Sequence, residues 1–496
     1  MSTNFDARLG LDYSLDEKTT MGLLFTGYSN VWDMDAQNLG FERINSEQTD
    51  FEVLSGEKNQ WTNLMANYNF SKQLDNGSLN FDIDYLYYVQ DNPTDYNNTF
   101  RNSQGEIINQ EIIRAEKETP VNIWVSRLDY TKTLSDKINF GAGLKMTISN
   151  LDNRVVVENL EDGRFVTDLQ LSENASLAER IGGAYSNLNI TFSEQTKLNL
   201  GLRYEYTDTR LSTIEDPDAV DLNYGNLFPT VFFMQKLNDN WTSQFSYGRR
   251  INRPAYNDLA PFVVFIDPNT FFFGNTALQP SFGDNYKVDF IYKKYLLSLQ
   301  YNNESDAIAS YQPTLLPGTN QQVFTSLNLD YRRSYVAMLS IPVTVTKWWD
   351  FRVNLMGTSR DILTLEGEQL GQDFFSLNGN MNFRLPGNFS AQIFGYHQTK
   401  SISGIAELSP ITNISLGIQK KIGNNSSLRF SINNLFGYEY DVFTAENLAL
   451  DYSTNTNYWF EPNIFRLSFS SSFGNEKLKS ARRRNTGSED IKQRVN

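Results

Sequence analysis

One cadence limits the folds open to this chain more than any other feature. Nine times, two alternating stretches of about ten residues flank a tight turn rich in Asp, Asn, Gly, Ser or Lys, and the intervals between these hairpins are long and polar. Short turns at one end and long connections at the other are the pattern of an antiparallel transmembrane β-barrel of the outer-membrane type. The alternation is clearest from Ile138 to Ile148, where Ile138, Phe140, Ala142, Leu144, Met146 and Ile148 interleave with Asn139, Gly141, Gly143, Lys145 and Thr147. One face of such a strand suits lipid and the other a polar lumen. Leu79 to Tyr85, Leu198 to Tyr206 and Phe375 to Arg384 read the same way. A soluble sandwich also alternates, but it keeps most connections short at both ends, whereas here only every second one is short. Tyr85, Tyr87, Tyr88, Tyr204, Tyr206, Tyr295 and Tyr301 fall near strand ends and are expected in interfacial girdles.

The tight turns fall near Asp16-Glu17-Lys18, Asp75-Asn76-Gly77, Ser135-Asp136-Lys137, Glu194-Gln195-Thr196, Asn238-Asp239-Asn240, Lys293-Lys294, Lys347-Trp348, Pro386-Gly387-Asn388 and Gly423-Asn424-Asn425. These residue types suit hairpin turns. With a final strand from Asn463 to Phe473, the nine hairpins give about nineteen strands, an odd number. Single-chain bacterial barrels have even counts, so opening strands are expected to be absent from these residues, and three more would give a twenty-two-strand barrel. Residues 1–474 are thus expected to form one barrel, incomplete at its N-terminal end, and 475–496 a basic, disordered periplasmic tail. Ser2 to Leu15 reads as a strand and has neither the basic start nor the apolar core of a secretory signal.

The intervals between hairpins read as surface loops: Trp32 to Asn59, Asp91 to Glu118, Leu151 to Arg180, Thr209 to Tyr224, Arg253 to Pro280, Ser305 to Gln321, Arg360 to Gln372, Lys400 to Pro410 and Tyr438 to Pro462. Exposed segments of this kind carry recognition. Mean hydropathy is -0.46, and no apolar run is long enough for a membrane helix. That is no obstacle to a barrel, because half of each strand faces a polar lumen. The net charge of -15 counts against a nucleic-acid partner. The absence of cysteine removes disulfides, thiol catalysis and Cys metal sites.

Chemistry offers few footholds. His397 is the only histidine and reads as a rim or girdle residue, so no enzyme is expected. Asp33-Met34-Asp35 holds two carboxylates without further spaced ligands, so no metal or cofactor is expected. Arg249, Arg250, Arg253 and Asp258 cluster where a strand leaves the bilayer and are the substrate-binding candidates. The arginines could grip an anionic substrate or a lipopolysaccharide phosphate, or pair with Asp258 or a lumen carboxylate such as Glu205. Lumen charges including Asp82, Asp84, Lys145, Arg203 and Arg384 could line a path or hold a plug.

The stretch Tyr247-Gly248-Arg249-Arg250-Ile251-Asn252-Arg253-Pro254-Ala255-Tyr256, with Leu259-Ala260-Pro261-Phe262 and Gly274-Asn275-Thr276-Ala277-Leu278-Gln279-Pro280 after it, resembles the TonB-dependent receptor barrels. The branch it resembles in particular is the outer membrane protein β-barrel family. Asn434-Leu435-Phe436-Gly437 resembles the close of the penultimate strand in these receptors, and Phe465 to Gly474, with Phe473, their last strand and its insertion signal. Ser281 stands where the family pattern has an acid. The resemblance implies residence in a Gram-negative outer membrane among lipid and lipopolysaccharide, assembly by the barrel-assembly machinery through the last strand, and uptake of a bulky nutrient such as a metal chelate, glycan or peptide. It also implies energy coupling to TonB through an N-terminal plug that these residues do not include. A passive porin or translocation pore, with Arg253 to Pro280 and its Phe271-Phe272-Phe273 folded inward, is the alternative, and a barrel enzyme the second.

Overall fold

The computed structural model describes residues 2–44, 47–169, 171–214, 216–259, 263–267, 270–315, 322–365, 367–423, 425–444, 455–473 and 486–495. The chain opens with β1 (Ser2–Ser14), β2 (Thr19–Ile44), β3 (Glu47–Leu74), β4 (Gly77–Arg101), β5 (Ile107–Ser135) and β6 (Ile138–Glu161). Next come β7 (Arg164–Thr167), β8 (Glu173–Thr191), β9 (Thr196–Thr213), β10 (Val220–Lys236) and β11 (Trp241–Asn252). One helical turn, α1 (Tyr256–Leu259), precedes the short β12 (Val263–Asp267) and β13 (Thr270–Phe273). Six strands follow: β14 (Ser281–Tyr292), β15 (Tyr295–Leu315), β16 (Gln322–Thr344), β17 (Trp349–Leu363), β18 (Gln369–Leu385) and β19 (Phe389–Gln398). Then come β20 (Ser401–Ser403), β21 (Ala406–Leu408), β22 (Ile411–Ile422), β23 (Ser426–Asn433), β24 (Tyr438–Thr444), β25 (Asn455–Phe460), β26 (Ile464–Ser471) and helix α2 (Glu489–Val495).

One sheet holds twenty-two of these strands. β7, β12 and β13 are short additions on the long-hairpin side, so nineteen strands make the wall, as the hairpin count predicts. Each wall strand pairs antiparallel with the next in chain order, and the one parallel pairing among the described residues joins β13 to β16. β20, β21, β24 and β25 form a separate four-stranded sheet. All nine tight turns lie where the sequence places them, Asn424 alone falling outside the described residues. Lys293, Gly387, Asn388 and Gly423 take the positive φ that such turns require. Lys18 Nζ reaches Asp75 at 2.8 Å across two adjacent turns.

The wall strands outrun the bilayer, and several of the expected loops are largely strand. β2 and β3 stay in register from Trp32↔Asn59 to Ile44↔Glu47, and β4 and β5 from Asp91↔Glu118 to Phe100↔Asn109, with a shift before the last pair, Arg101↔Ile107. β6 and β8 pair through Val155↔Glu173, and β15 runs on through Ser305 to Leu315. The reason is visible along β6. Up to Ile148 the outward side chains are apolar and exposed, as at Leu144 (57 %), while Lys145 and Thr147 point inward. Beyond it the polarity inverts: Asn150, Asp152 and Arg154 face out, while Leu151, Val155 and Val157 are buried. β4 repeats this, with Asp82 and Asp84 inward below Leu86 and Tyr88. The period of two persists through the change of solvent, and so does the strand.

The inward apolar side chains of the upper wall form a dry core. Leu86, Tyr88, Val121, Ile123, Val125, Leu151, Leu177 and Leu211 pack there with Tyr256 and Leu259 of α1 and with Ile491 and Val495 of α2. Tyr88 is therefore no girdle residue: it turns inward and meets Trp61 edge-on at 6.2 Å. The outward tyrosines do form a ladder, Tyr247 to Tyr286 at 4.8 Å, Tyr286 to Tyr301 at 6.0 Å and Tyr301 to Tyr335 at 4.8 Å. Near the tight turns Trp241 packs on Tyr292 at 4.6 Å. Rings at these levels are the amphipathic belt expected of a membrane barrel.

Candidate functional site

The lumen at the height of the dry core is where the family-like segment and the chain's last residues meet. β11 ends at Asn252, and Pro254, with no backbone N–H to continue the ladder, lets the chain turn inward. α1 then sinks Tyr256 and Leu259 into the core, at 1 % and 5 % exposure. Asn275 fixes the return of the segment: its backbone N–H donates to the Asp258 carbonyl at 2.7 Å and its amide to the Ser326 carbonyl at 2.9 Å. Its side-chain oxygen accepts from the Ala277 N–H at 2.9 Å. Leu278 is buried in the same core, with Gly274 and Pro280 also buried.

Charges in this region are paired and shielded. Arg253 donates to Glu205 at 3.0 Å and to Thr207 at 3.0 Å, and both ends of the ion pair are 12 % exposed. Glu179, on β8 and 3 % exposed, accepts from the Thr209 hydroxyl at 3.2 Å and from the Tyr256 phenol at 3.5 Å. Its main partner is Arg494 of α2. One guanidinium nitrogen reaches one Glu179 oxygen at 3.2 Å and the other forms a shorter bond to the second oxygen. Arg494 Nε donates to the Pro254 carbonyl at 3.1 Å, and its guanidinium lies 4.4 Å from the Tyr256 ring centre. Burial pushes the Tyr256 phenol up to about 12, so it stays a donor. The Arg494 guanidinium, although buried, is held charged by Glu179.

The remainder of α2 is equally tied down. Lys145 Nζ lies 2.6 Å from Asp490, and the Thr486 hydroxyl donates to Glu489 at 2.8 Å. The Ser488 hydroxyl is buried against Thr486 at 3.3 Å, and nearby Asp84 accepts from the Asn67 amide at 2.6 Å. A Cβ at Gly487 would sit 3.4 Å from side-chain atoms of Val125 and Arg127, so the chain runs close along the wall there. Residues 486–495 therefore correct the expected disordered tail: a short polar helix is ordered by partners on the wall. Arg482, Arg483 and Arg484 lie outside the described residues, as do Ala260, Pro261 and Phe262.

The other candidates scatter. Arg249 is on the outward face near Phe282, 5.9 Å from its ring. Arg250 is on the lumen side and lines a separate cavity of about 450 Å³ with Asn285 and Lys287. Asp258 is held by Ser326, and burial raises its carboxyl; Arg253 pairs with Glu205. The expected arginine cluster is thus three separate environments, because successive strand residues face opposite ways. Ser281, in the place of the family acid, donates to Glu304 at 2.6 Å, and Glu304 pairs with Arg332 at 2.5 Å. Asn434 adopts φ +54° and donates to the carbonyls of Phe460 and Glu461. Leu435 continues the motif, its N–H on the Ile414 carbonyl, while Phe436 and Phe473 are exposed. His397 faces outward, its Nδ1 2.8 Å from the Thr412 hydroxyl. Asp33 and Asp35 sit opposite Lys58 and Gly56. Among the described residues no three His, Cys, Asp or Glu side chains gather as metal ligands.

The sequence reading missed Glu179, Tyr256 and Arg494. A signal existed for the first: inward positions Ala175, Leu177 and Glu179 form an apolar run broken by one acid. Of the three, Arg494 lines a cavity of about 430 Å³, together with Lys145, Arg203, Glu205, Arg253 and Asp258 among others.

A nineteen-strand antiparallel wall with an apolar outer band defines a membrane β-barrel. The chain belongs to the outer membrane protein beta-barrel family, whose model matches residues 68–470. Its place is accordingly the outer membrane of a Gram-negative bacterium. Among solved structures it is similar to the ferric-catecholate import receptor Fiu from K12 E. coli in its closed form, at 11 % identity and a TM-score of 0.51, over 95 % of this chain and 81 % of that one. The FrpB iron transporter from Neisseria meningitidis (F5-1 variant) matches at 11 % identity and a TM-score of 0.50, over 93 % and 83 %. The siderophore receptor PirA from Pseudomonas aeruginosa matches at 12 % identity and 0.45, over 95 % and 80 %. No curated protein matches the chain in sequence. The likenesses to Fiu and FrpB show the shared barrel fold.

Proposed function

We propose that this chain is the barrel of a nutrient-uptake receptor that binds a bulky solute, a metal chelate, glycan or peptide, at the long-hairpin side and passes it to the periplasm. The observation that carries this reading is the height of the hairpins at one end of the wall. Tyr256, Leu259 and Leu278, from the segment between β11 and β14, pack inside the wall with α2 and the upper strands. Tall hairpins on one side only, as β2–β3 and β4–β5 form, suit capture of large solutes. The named import receptors and transporters that share the fold support the same reading. TonB coupling would run through a plug domain beyond the residues described here, and insertion through the last strand, β26.

The direct test is accumulation of labelled ferric chelates, oligosaccharides and peptides by cells with and without this protein, with and without an uncoupler of the proton gradient. The proposal expects uptake of one class that requires both protein and gradient. Gradient-independent diffusion of many small solutes, with steady conductance in planar bilayers, would instead establish a porin.

A further inference from the structure

The outward tyrosine ladder breaks off at β17. In register, Tyr335 of β16 stands opposite Ser359 of β17, and Ser359 stands opposite Asp373 of β18. One step nearer the tight turns, the outward row across these strands is Leu299, Ala337, Gly357 and Phe375. Where the rings stop, the outer wall holds a groove of about 680 Å³. Ala337 and Gly357 form its floor, Leu299 and Phe375 its sides, and Tyr335, Ser359 and Asp373 edge its upper end.

Gly357 keeps the floor low. Its pairing is in unbroken register on both sides and its φ is not positive, so neither a bulge nor a turn requires a glycine there. No heavy atom stands within 4 Å of the place its Cβ would take, whereas Gly225, also outward, is covered by the Tyr204 ring. An open glycine in mid-strand marks a place where another molecule comes close. Here the apolar rows meet the charged row of Arg333 and Asp361, so the visitor is amphipathic. The trough gives a lipid chain packing contacts on three sides, which a flat wall does not. Its upper end decides the head group. Asp373 is the one charged side chain lining the groove, and among the described residues it has no ion-pair partner. The next outward residue of β17 is a second acid, Asp361, held by Tyr331 and Gln369 at 3.1 Å each. Arg333 turns away from both, its Nε on Asn303 of β15 at 3.0 Å. A head group seated here therefore meets carboxylate and must offer a cationic donor.

We propose that this groove is a specific lipid site, in which an acyl chain of an ethanolamine phospholipid lies over Ala337 and Gly357 and the ammonium of its head group is received by Asp373. Lipopolysaccharide is disfavoured there, because its phosphates would face Asp373 and Asp361. This goes beyond the uptake reading and does not depend on it.

Native mass spectrometry of the full chain, purified in detergent, counts the lipid that stays bound when phosphatidylethanolamine, phosphatidylglycerol with the same chains, or lipid A is supplied. The expected result is one retained phosphatidylethanolamine, bound at least about tenfold more tightly than phosphatidylglycerol. Asp373→Asn is expected to abolish that preference, and Gly357→Leu, which fills the floor, to abolish retention. Gly395→Leu, at an equally open glycine of β19 outside the groove, should retain the lipid as the unaltered chain does. Equal retention of the two phospholipids overturns the proposal, and so does tighter retention of lipid A or no retained lipid at all. Retention that survives Gly357→Leu overturns it too. Should that variant fail to assemble, Asp373→Asn, an exposed substitution, decides alone: a preference that survives it overturns the proposal. None of these outcomes bears on nutrient uptake.

Discussion

The lower and upper halves of the wall are built on the same strands with opposite polarity. In β6, Leu144 faces lipid and Lys145 the lumen, yet a few residues later Asp152 faces water and Leu151 is buried inside. A strand does not need one apolar side throughout; it needs each side matched to what lies against it at that height. Below, lipid takes the apolar face and charges turn in, as Asp82, Arg127 and Asp129 do, with Arg127 Nε 3.0 Å from Asp129. Above, water takes the polar face, and the apolar face closes over α1 and α2.

The largest expected effect comes from one residue type placed in the two halves. Leu151→Ala removes a side chain that is 2 % exposed in a packed core and is expected to cost about 2–5 kcal/mol. Leu144→Ala, on the lipid side of the same strand, should cost well under half of that, since acyl chains fill the gap. Unfolding of both variants in lipid vesicles by urea measures the pair, and equal losses would erase the distinction between the halves.

Charge substitution sharpens the comparison. Leu467→Arg and Phe469→Arg on the lipid face of β26 are expected to cost about 2–4 kcal/mol at mid-bilayer, with lowered assembly yields in outer-membrane fractions. Asn150→Arg, outward but above the inversion, and Arg466→Ala, on the lumen-side register of β26, should assemble near normally. Equal yields across the four would contradict the assignment of faces.

A smaller effect is expected from pH at the α2 seat. The Thr486 hydroxyl holds the Glu489 carboxyl below its usual range, with help from Lys492 and against partial burial. Burial opposes ionisation of Asp490 more than any single contact favours it, but Lys145 and two backbone N–H groups together leave that carboxyl lowered as well. Groups with lowered folded values stabilise the seat above the ordinary carboxylate range, near about pH 4, and lose that contribution as pH falls through their folded values. Asp258, raised by burial, acts in the opposite sense. Amide exchange at Ile491 is therefore expected to accelerate, after correction for intrinsic rates, on acidification below about pH 4. A seat equally protected at low pH would show that Glu489 and Asp490 do not hold it. The smallest effect is at the turns: Asp75→Asn removes an ion pair exposed on both sides, and no measurable change in unfolding is expected.

Much of this was legible in the sequence. The nine turns, the nineteen wall strands and the lipid faces of β4, β6, β9 and β18 follow from a period of two that the bilayer enforces. The upper strands were read as loops because Asp33, Asp35, Glu57, Asp95 and Asp152 look like solvated connections, and alternation with the polar residues outward gives no hydropathy signal. Arg249, Arg250 and Arg253 looked like a cluster because they are adjacent in sequence, whereas the strand and the turn after it send them apart. The α2 site could not be read locally, since its anchor joins Arg494 to Glu179, which the chain places 315 residues away.

The most direct measurement is a cysteine scan from Phe140 to Val157 in membranes, read with one lipid-soluble and one water-soluble thiol reagent. The expected result is reaction of even-numbered positions with the lipid-soluble reagent up to Ile148 and with the water-soluble reagent from Asn150 onward. Leu151, Asn153, Val155 and Val157 should be protected from both. Water-soluble reaction at those four odd positions, or lipid-soluble reaction that continues at the even ones, would contradict the inverted upper wall and the apolar core behind it.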